Sequence, residues 1–321
     1  MDGARVVCPL PVHARHNRGV AGRFAPSPTG DLHLGNLRTA LAAFLLAVSR
    51  GVPFLLRVED LDRVASAPAH EASQQRDLRA IGIDWDGPVL RQSERFPVYE
   101  SALARLTAAG ATYECYCTRR EIRDAVAAPH GTELVYPGTC RDLSPDERHR
   151  RRAERPPAIR FRGEGTVTFD DAVAGRFTGA VSDVVLRRND GAPAYNLAVV
   201  VDDAATGVDH VVRGDDLLSS TPAQIAVQEA LGLPRPEYVH IPLVVGPDGQ
   251  RLAKRDGALT LDDLDSAGIA AARVRGALTR SLGIDCPDEL GRVAVRDLAK
   301  GFDPTALGAL GPVTPASLAL H

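Results

Sequence analysis

In the stretch RFAPSPTGDLHLGN, residues 23–36, prolines, glycines and a histidine stand directly before an apolar run. Pro26, Pro28 and Gly30 forbid a regular element. From Leu37 onward, Leu41, Phe44, Leu45 and Val48 recur at helical spacing, with Gly51 placed to end the helix. A breaker loop ahead of a helix offers backbone N–H groups and the positive end of the helix dipole to an anion. His33 can donate to a phosphate oxygen, and Gly35 lets a flat base approach the backbone. This is the chemistry of a phosphate site; its plainer alternative is a Pro/Gly turn with a surface histidine.

Three further clusters could do chemistry. Of 38 basic residues only Lys254 and Lys300 are lysines, so Lys254 in QRLAKRDGA marks a place where a guanidinium would not serve. An ammonium in a loop suits the charge that spreads during phosphoryl or nucleotidyl transfer, unless it is a solvated turn lysine. Cys115-x-Cys117 and Cys140 suggest a structural zinc, against the alternative of three buried free thiols. Imidazole chemistry alone nominates His130 or His149 as the fourth ligand. The run DERHRRRAERPP, with Arg148, Arg150, Arg151, Arg152 and Arg155, is either a track for an RNA backbone or a solvated helix face.

The elements that must position these groups read as α/β. PFLLRVEDLDR starts as a buried strand and ends in carboxylates, so Glu59 or Asp60 can face the loop of residues 23–35. Helices are expected around residues 71–81 and 98–109. Residues 113–157 hold three of the five cysteines and little apolar periodicity, as in a module organised by something other than a core. From Ala158 the chain is β-rich, then returns to α/β patterning, and Ala-rich helices run to about Leu310. At 321 residues, with 44% hydrophobic and 25% charged residues and net charge −3, the composition is that of a soluble enzyme. No apolar run reaches the roughly 18 residues of a membrane span. Residues 1–21 read as an N-terminal tail, and five cysteines argue against a disulfide framework, so the expected location is cytoplasmic. Cys8 and Cys286 look incidental. There is no G-x-x-x-x-G-K-[ST] loop, G-x-G-x-x-G or G-x-S-x-G elbow, which disfavours P-loop, nicotinamide and elbow-hydrolase readings.

Taken together, RFAPSPTGDLHLGN, LRVEDLDR, DWDGP, QSER, YNLAVVVDD, HVVRGDDLLSSTPAQI and RLAKRDGA resemble the catalytic domain of class I glutamyl-tRNA synthetases, in family order over about residues 22–257. The chain is similar above all to the short glutamyl-Q branch, because only about 64 residues follow Gly257, too few for the usual anticodon-binding region. Two departures stand out. Asn36 occupies the last position of the H-[IL]-G-H motif, and Arg251 and Ala253 replace the first lysine and first serine of K-M-S-K-S.

The resemblance implies a class I Rossmann-like parallel sheet, formed by residues 22–112 and 158–245. A zinc-binding insertion of residues 113–157 interrupts it, and a loop and helical segment of residues 246–321 follow. It implies that Arg23, Phe24, Ala25, Pro26, Ser27, Glu59, Tyr195 and Arg213 contact L-glutamate, and that His33, Gly35, Asn36 and Lys254 bind ATP with its Mg²⁺. His33 and Lys254 would act in catalysis. Glutamate carries two carboxylates and one ammonium, which Arg23, Arg213, Glu59 and the Tyr195 hydroxyl complement. An arginine against the side-chain carboxylate also rejects glutamine, whose amide would set donors against donors. The resemblance adds Tyr136 to Cys115, Cys117 and Cys140 around one zinc. The acceptor it implies is the queuosine of tRNA(Asp), served by a monomer. A truncated synthetase charging an acceptor end, and an RNA-binding protein with a decayed catalytic loop, remain the other readings.

Overall fold

The computed structural model describes residues 20–125, 136–246, 259–318 and 320. The chain begins as a βαβ unit: β1 (Gly22–Phe24), α1 (Leu34–Ser49) and β2 (Phe54–Val58). Then follow α2 (Pro68–Ala80), β3 (Leu90–Arg91) and α3 (Phe96–Ala108). Both α2 and α3 start a few residues before the apolar periodicity does. A proline in the first turn of each fits there, because that N–H has no helical partner to lose. The insertion is framed by β4 (Thr112–Cys115) and β5 (Ala158–Phe161), with α4 (Arg119–Ala125) and α5 (Pro145–Glu154) between them. Next come β6 (Thr166–Asp171), β7 (Gly175–Ala180), β8 (Val185–Arg187), α6 (Tyr195–Ala205), β9 (His210–Gly214), α7 (Thr221–Ala230) and β10 (Glu237–Ile241). The described chain closes with α8 (Leu261–Ser266), α9 (Ala271–Arg280), α10 (Ala294–Leu298) and short 3₁₀ turns.

Two sheets carry the site. One has order β1-β2-β3 and is parallel; the other has order β7-β6-β10-β9, parallel except for the β6–β7 hairpin. A parallel bridge from Ala21 to Val208 joins β1 to β9, with Ala21 N–H donating to Gly207 O. From that joint the strand order runs outward both ways, β1 to β2 on one side and β9 to β10 on the other. Such a reversal leaves a crevice at the carboxyl ends of the two central strands. Strands β4, β5 and β8 form a separate antiparallel sheet. Strand β7 was not legible in the sequence, because GRFTGA is mostly exposed and lacks an apolar alternation.

Helix α1 is buried on nearly every side, which its Leu/Ala/Phe sequence permits. One side packs on β1 and β9, the other on α9 and α10, and its ends are tightly set. Gly51 adopts φ of 66°, which stops the helix where the periodicity places its end. Residues of the C-terminal segment, among them Val274, Leu278, Leu282, Val295, Leu307 and Leu318, share one apolar core with α1 and β2. The described residues of the last segment therefore complete the layer built on α1. Among the described residues no helix is long and apolar enough to cross a membrane.

Candidate active site

The loop after β1 is fixed from both ends of its turn. His33 is the N-cap of α1: its Nδ1 accepts from Gly35 N–H at 3.2 Å, and Asn36 Oδ1 accepts from His33 N–H at 3.4 Å. With Nδ1 occupied as an acceptor, the proton of a neutral ring sits on Nε2. Asn36 therefore has a local task that a histidine would do less well: it completes a capping box that aims the His33 ring. Gly35 leaves room for the His33 ring, since a Cβ there would lie 3.1 Å from it and press it out of place, and 3.5 Å from Val244. Leu34 N–H donates to Leu259 O at 3.0 Å, and His33 bridges Thr260. Both flanks of the sequence-predicted Lys254 loop, Val244 and Leu259–Thr260, thus reach residues 33–35. Lys254, Arg251 and Ala253 themselves lie outside the described residues, as do Cys8 and His130.

A buried charge cluster sits at the carboxyl ends of the central strands. Arg23, from β1, donates through Nε and a terminal nitrogen to both oxygens of Asp203 at 3.3 Å, and to Val212 O at 3.2 Å. Arg57, from β2, donates to Asp203 Oδ1 at 2.5 Å and to Glu59 Oε1 at 3.1 Å. Glu59 N–H in turn donates to Pro26 O, tying the end of β2 to the loop. Beside them Asp202, fully buried, accepts from Arg95, Tyr99 and Gln92 at 2.7 to 3.0 Å. Burial opposes the charge of Asp203, but Arg23 and Arg57 outweigh it and hold this carboxyl below the ordinary range. At Glu59 burial wins, and its carboxyl is pushed up despite Arg57 and Arg23.

Arg213, at the end of β9, is held differently. It is 6% exposed, yet its hydrogen-bond partners among the described residues are neutral: Gln224 Oε1 at 2.8 Å, Thr221 Oγ1 at 2.7 Å, His240 Nε2 at 3.0 Å and, at a long 3.5 Å, Tyr195 Oη. The Tyr238 ring lies below the guanidinium at 5.4 Å. Of the expected glutamate contacts, the structure therefore joins Arg213 directly to Tyr195, and joins Arg23 to Glu59 through Asp203 and Arg57. Phe24, Ala25, Pro26 and Ser27 continue from Arg23 as the strand end and loop, with Gln74 donating to Ser27 O at 3.0 Å. Sequence reasoning missed Arg57, Asp203 and Asp202. The available signals were one arginine inside the buried strand FLLRV and two aspartates ending the apolar run LAVVVDD.

The thiols of the insertion converge. Cys115, Cys117 and Cys140 offer sulfurs within 4.8 Å of one another, a cluster that can hold a metal ion. Tyr136 Oη lies 3.4 and 3.5 Å from the sulfurs of Cys115 and Cys117, and accepts from Cys140 N–H at 2.8 Å. Three soft sulfurs and one oxygen at mutual contact fit the four-coordinate donor set of a structural zinc. His149, the other imidazole considered, is exposed on α5 and does not join the cluster. A hydrogen bond to Cys140, followed by burial, pushes the Cys115 thiol up to about 12, while Cys140, accepting from Cys115, is drawn down to about 6. The Arg160 guanidinium lies 3.8 Å over the Tyr136 ring, while burial and then the hydrogen bonds with the three cysteines push the phenol well above its ordinary range. Among the α5 arginines, Arg152 pairs with Glu114 and Arg155 with Glu121 and Tyr116 O.

Removing Asp203 leaves two buried guanidiniums short of their shared acceptor. Asp203→Asn is expected to lower stability at neutral pH by about 3–5 kcal/mol in denaturant unfolding. Because the folded-state pKa of Asp203 is depressed, its contribution is present above the ordinary carboxylate range and lost as pH falls through the folded value. The gap between variant and native protein should therefore shrink below about pH 4. Equal stability at pH 7 would contradict the assignment.

Comparison with known proteins agrees with this architecture. The model for class I tRNA synthetases (E and Q), catalytic domain, matches residues 19–305. The chain is 60% identical over 291 residues to the glutamyl-Q tRNA(Asp) synthetase of Nocardia farcinica, covering 90% of this chain and 91% of the relative. It is 54% identical over 271 residues to that of Cutibacterium acnes, covering 83% and 77%. The crystal structure of glutamate-tRNA synthetase from Elizabethkingia anophelis superposes with a TM-score of 0.78 at 27% identity, over 94% of this chain and 69% of that one. The chain belongs to the class I tRNA synthetases of the glutamate and glutamine group, and is a ligase of their catalytic-domain fold.

Proposed function

We propose that the protein activates L-glutamate with ATP and transfers it to the queuosine of the tRNA(Asp) anticodon. In the first step a glutamate carboxylate oxygen attacks the α-phosphorus of ATP; the new P–O bond forms as the bond to pyrophosphate breaks. In the second step a hydroxyl of the queuosine cyclopentene-diol attacks the activated carbonyl and AMP leaves. No covalent enzyme intermediate is needed, so positioning and fixed charge carry the rate. Arg213 and Arg23 face the carboxylates, Glu59 the ammonium, and Tyr195 with residues 24–27 completes the amino-acid site. His33 donates from Nε2 to the phosphate, Gly35 and Asn36 line the nucleotide, and Lys254 neutralises the departing pyrophosphate with the Mg²⁺ that ATP brings.

The observation that most supports this reading is the convergence at the strand-order reversal. Arg23, Glu59 and Arg213 stand at the ends of β1, β2 and β9, beside the capped N-terminus of α1. Leu259 and Thr260, which follow the Lys254 segment, bond to that same turn, and Val244, which precedes it, lies near Gly35. The names of the relatives at 60% and 54% identity supply the acceptor. A single catalytic domain can remain specific when the place of chemistry and the place of recognition coincide, as they do when unstacked anticodon bases enter the site.

The test offers labelled glutamate to tRNA(Asp) with and without queuosine, and to tRNA(Glu). Label is expected on the queuosine-bearing tRNA(Asp) alone. Label on tRNA(Glu), or equal label on tRNA(Asp) lacking queuosine, would return the protein to a synthetase charging an acceptor end.

The cysteine cluster is proposed to hold one zinc through Cys115, Cys117, Cys140 and Tyr136, organising an insertion whose own buried cluster is small. When bound, the ion supplies a structural cross-link and no reaction step. Elemental analysis should find one zinc per chain, and chelation should loosen residues 113–157 to proteolysis. Absence of zinc, with all three thiols titrating in the native protein, would refute it.

A further inference from the structure

Behind Arg213 stands a pair of buried groups that the activation scheme does not use. His240, on β10, has its Nε2 3.0 Å from Arg213 Nε–H and 3.2 Å from the Thr221 hydroxyl, and its Nδ1 2.6 Å from Asp171 Oδ2. Both side chains are fully buried. Asp171 can only accept and Arg213 Nε–H can only donate, so the ring proton sits on Nδ1 and goes to Asp171, and Nε2 accepts. Burial lowers the affinity of His240 for a second proton, in keeping with a neutral ring. Asp171 is itself immobilised: it accepts from His240 N–H and from the Val173 and Ala174 N–H groups of the β6–β7 turn.

We propose that Asp171 and His240 are positioning residues that hold Arg213 for an incoming carboxylate. The chain runs carboxylate, imidazole, guanidinium, and each link dictates the next. Asp171 selects the Nδ1–H tautomer, that tautomer turns Nε2 into an acceptor, and the acceptor fixes the Nε edge of Arg213. Thr221 and Gln224 fix the terminal nitrogens. The contrast with Arg23 gives the purpose. Arg23 gives its Nε and one terminal nitrogen to Asp203 and the other to Val212 O, whereas the partners of Arg213 among the described residues are neutral. A guanidinium oriented without being neutralised keeps its charge for a ligand anion. This inference rests on the reading of Arg213 as a glutamate contact.

Asp171→Asn is the decisive variant. The Asn carbonyl can still cap the turn, but its amide would donate to Nδ1, force the Nε2–H tautomer and set a donor against Arg213 Nε–H. Glutamate KM in ATP–pyrophosphate exchange is expected to rise about 10- to 100-fold, with ATP KM unchanged. His240→Gln, which keeps an acceptor within reach of Arg213, should recover most of the loss seen in His240→Phe. The ¹⁵N spectrum of the native protein, with His240 assigned by comparison with folded His240→Gln, reads the tautomer without any measurement of activity. Nδ1–H in that spectrum supports the relay, and an Nε2–H or doubly protonated ring overturns it. Folded Asp171→Asn protein with glutamate KM within twofold of native overturns it too. Native protein that shows the Nδ1–H ring but no glutamate-dependent exchange would instead refute the proposed substrate.

Discussion

One buried carboxylate ties the catalytic layer together. Asp203, near the end of α6, accepts from Arg23 of β1 and Arg57 of β2, and Arg23 continues to the backbone of β9. Three strands and one helix thus meet at a point near the end of the sheet where the strand order reverses. Such a cluster is a poor device for stability alone, because taking several charges out of water costs about as much as their attraction returns. Its value is geometric. It sets fixed charges at a crevice where a small zwitterion can exchange its hydration for oriented partners.

Around that point the charges are of two kinds. Arg23, Arg57, Asp203 and Glu59 form one ion-paired network. Arg213 stands apart, oriented by Thr221, Gln224 and His240 with no direct carboxylate partner among the described residues. The α1 N-terminus supplies a third field. Its capping box uses Asn36 to secure the backbone of His33, so the departure from the family motif preserves the aim of the ring while giving up one charge. The C-terminal helices matter here as well, since α9 and α10 pack on α1 and brace the helix whose N-terminus faces the crevice.

Much of this was legible in the residues. The breaker loop, the helix after it and the carboxylates ending β2 followed from Pro, Gly and apolar spacing, because those signals are local. The cysteines were legible for the same reason, although Tyr136 came only from resemblance, since a phenol is an unusual zinc ligand and an imidazole at residue 149 looked chemically better. What could not be read were pairings across long separations. Arg57 and Asp203 are 146 residues apart, and His240 and Asp171 are 69 apart. A strand arginine gives no hint that it faces inward until its partner is placed. The apolar residues of the C-terminal segment join the core of α1, a packing that periodicity within the segment cannot reveal.

The most direct measurement is ATP–pyrophosphate exchange by the purified protein with no RNA present, run with glutamate and with glutamine. A site whose fixed charges come from one catalytic layer needs no anticodon signal to assemble. Exchange should therefore appear with glutamate alone and remain near background with glutamine. Exchange that appears only after tRNA is added, or that glutamine supports equally, would contradict a preassembled site selective for a second carboxylate.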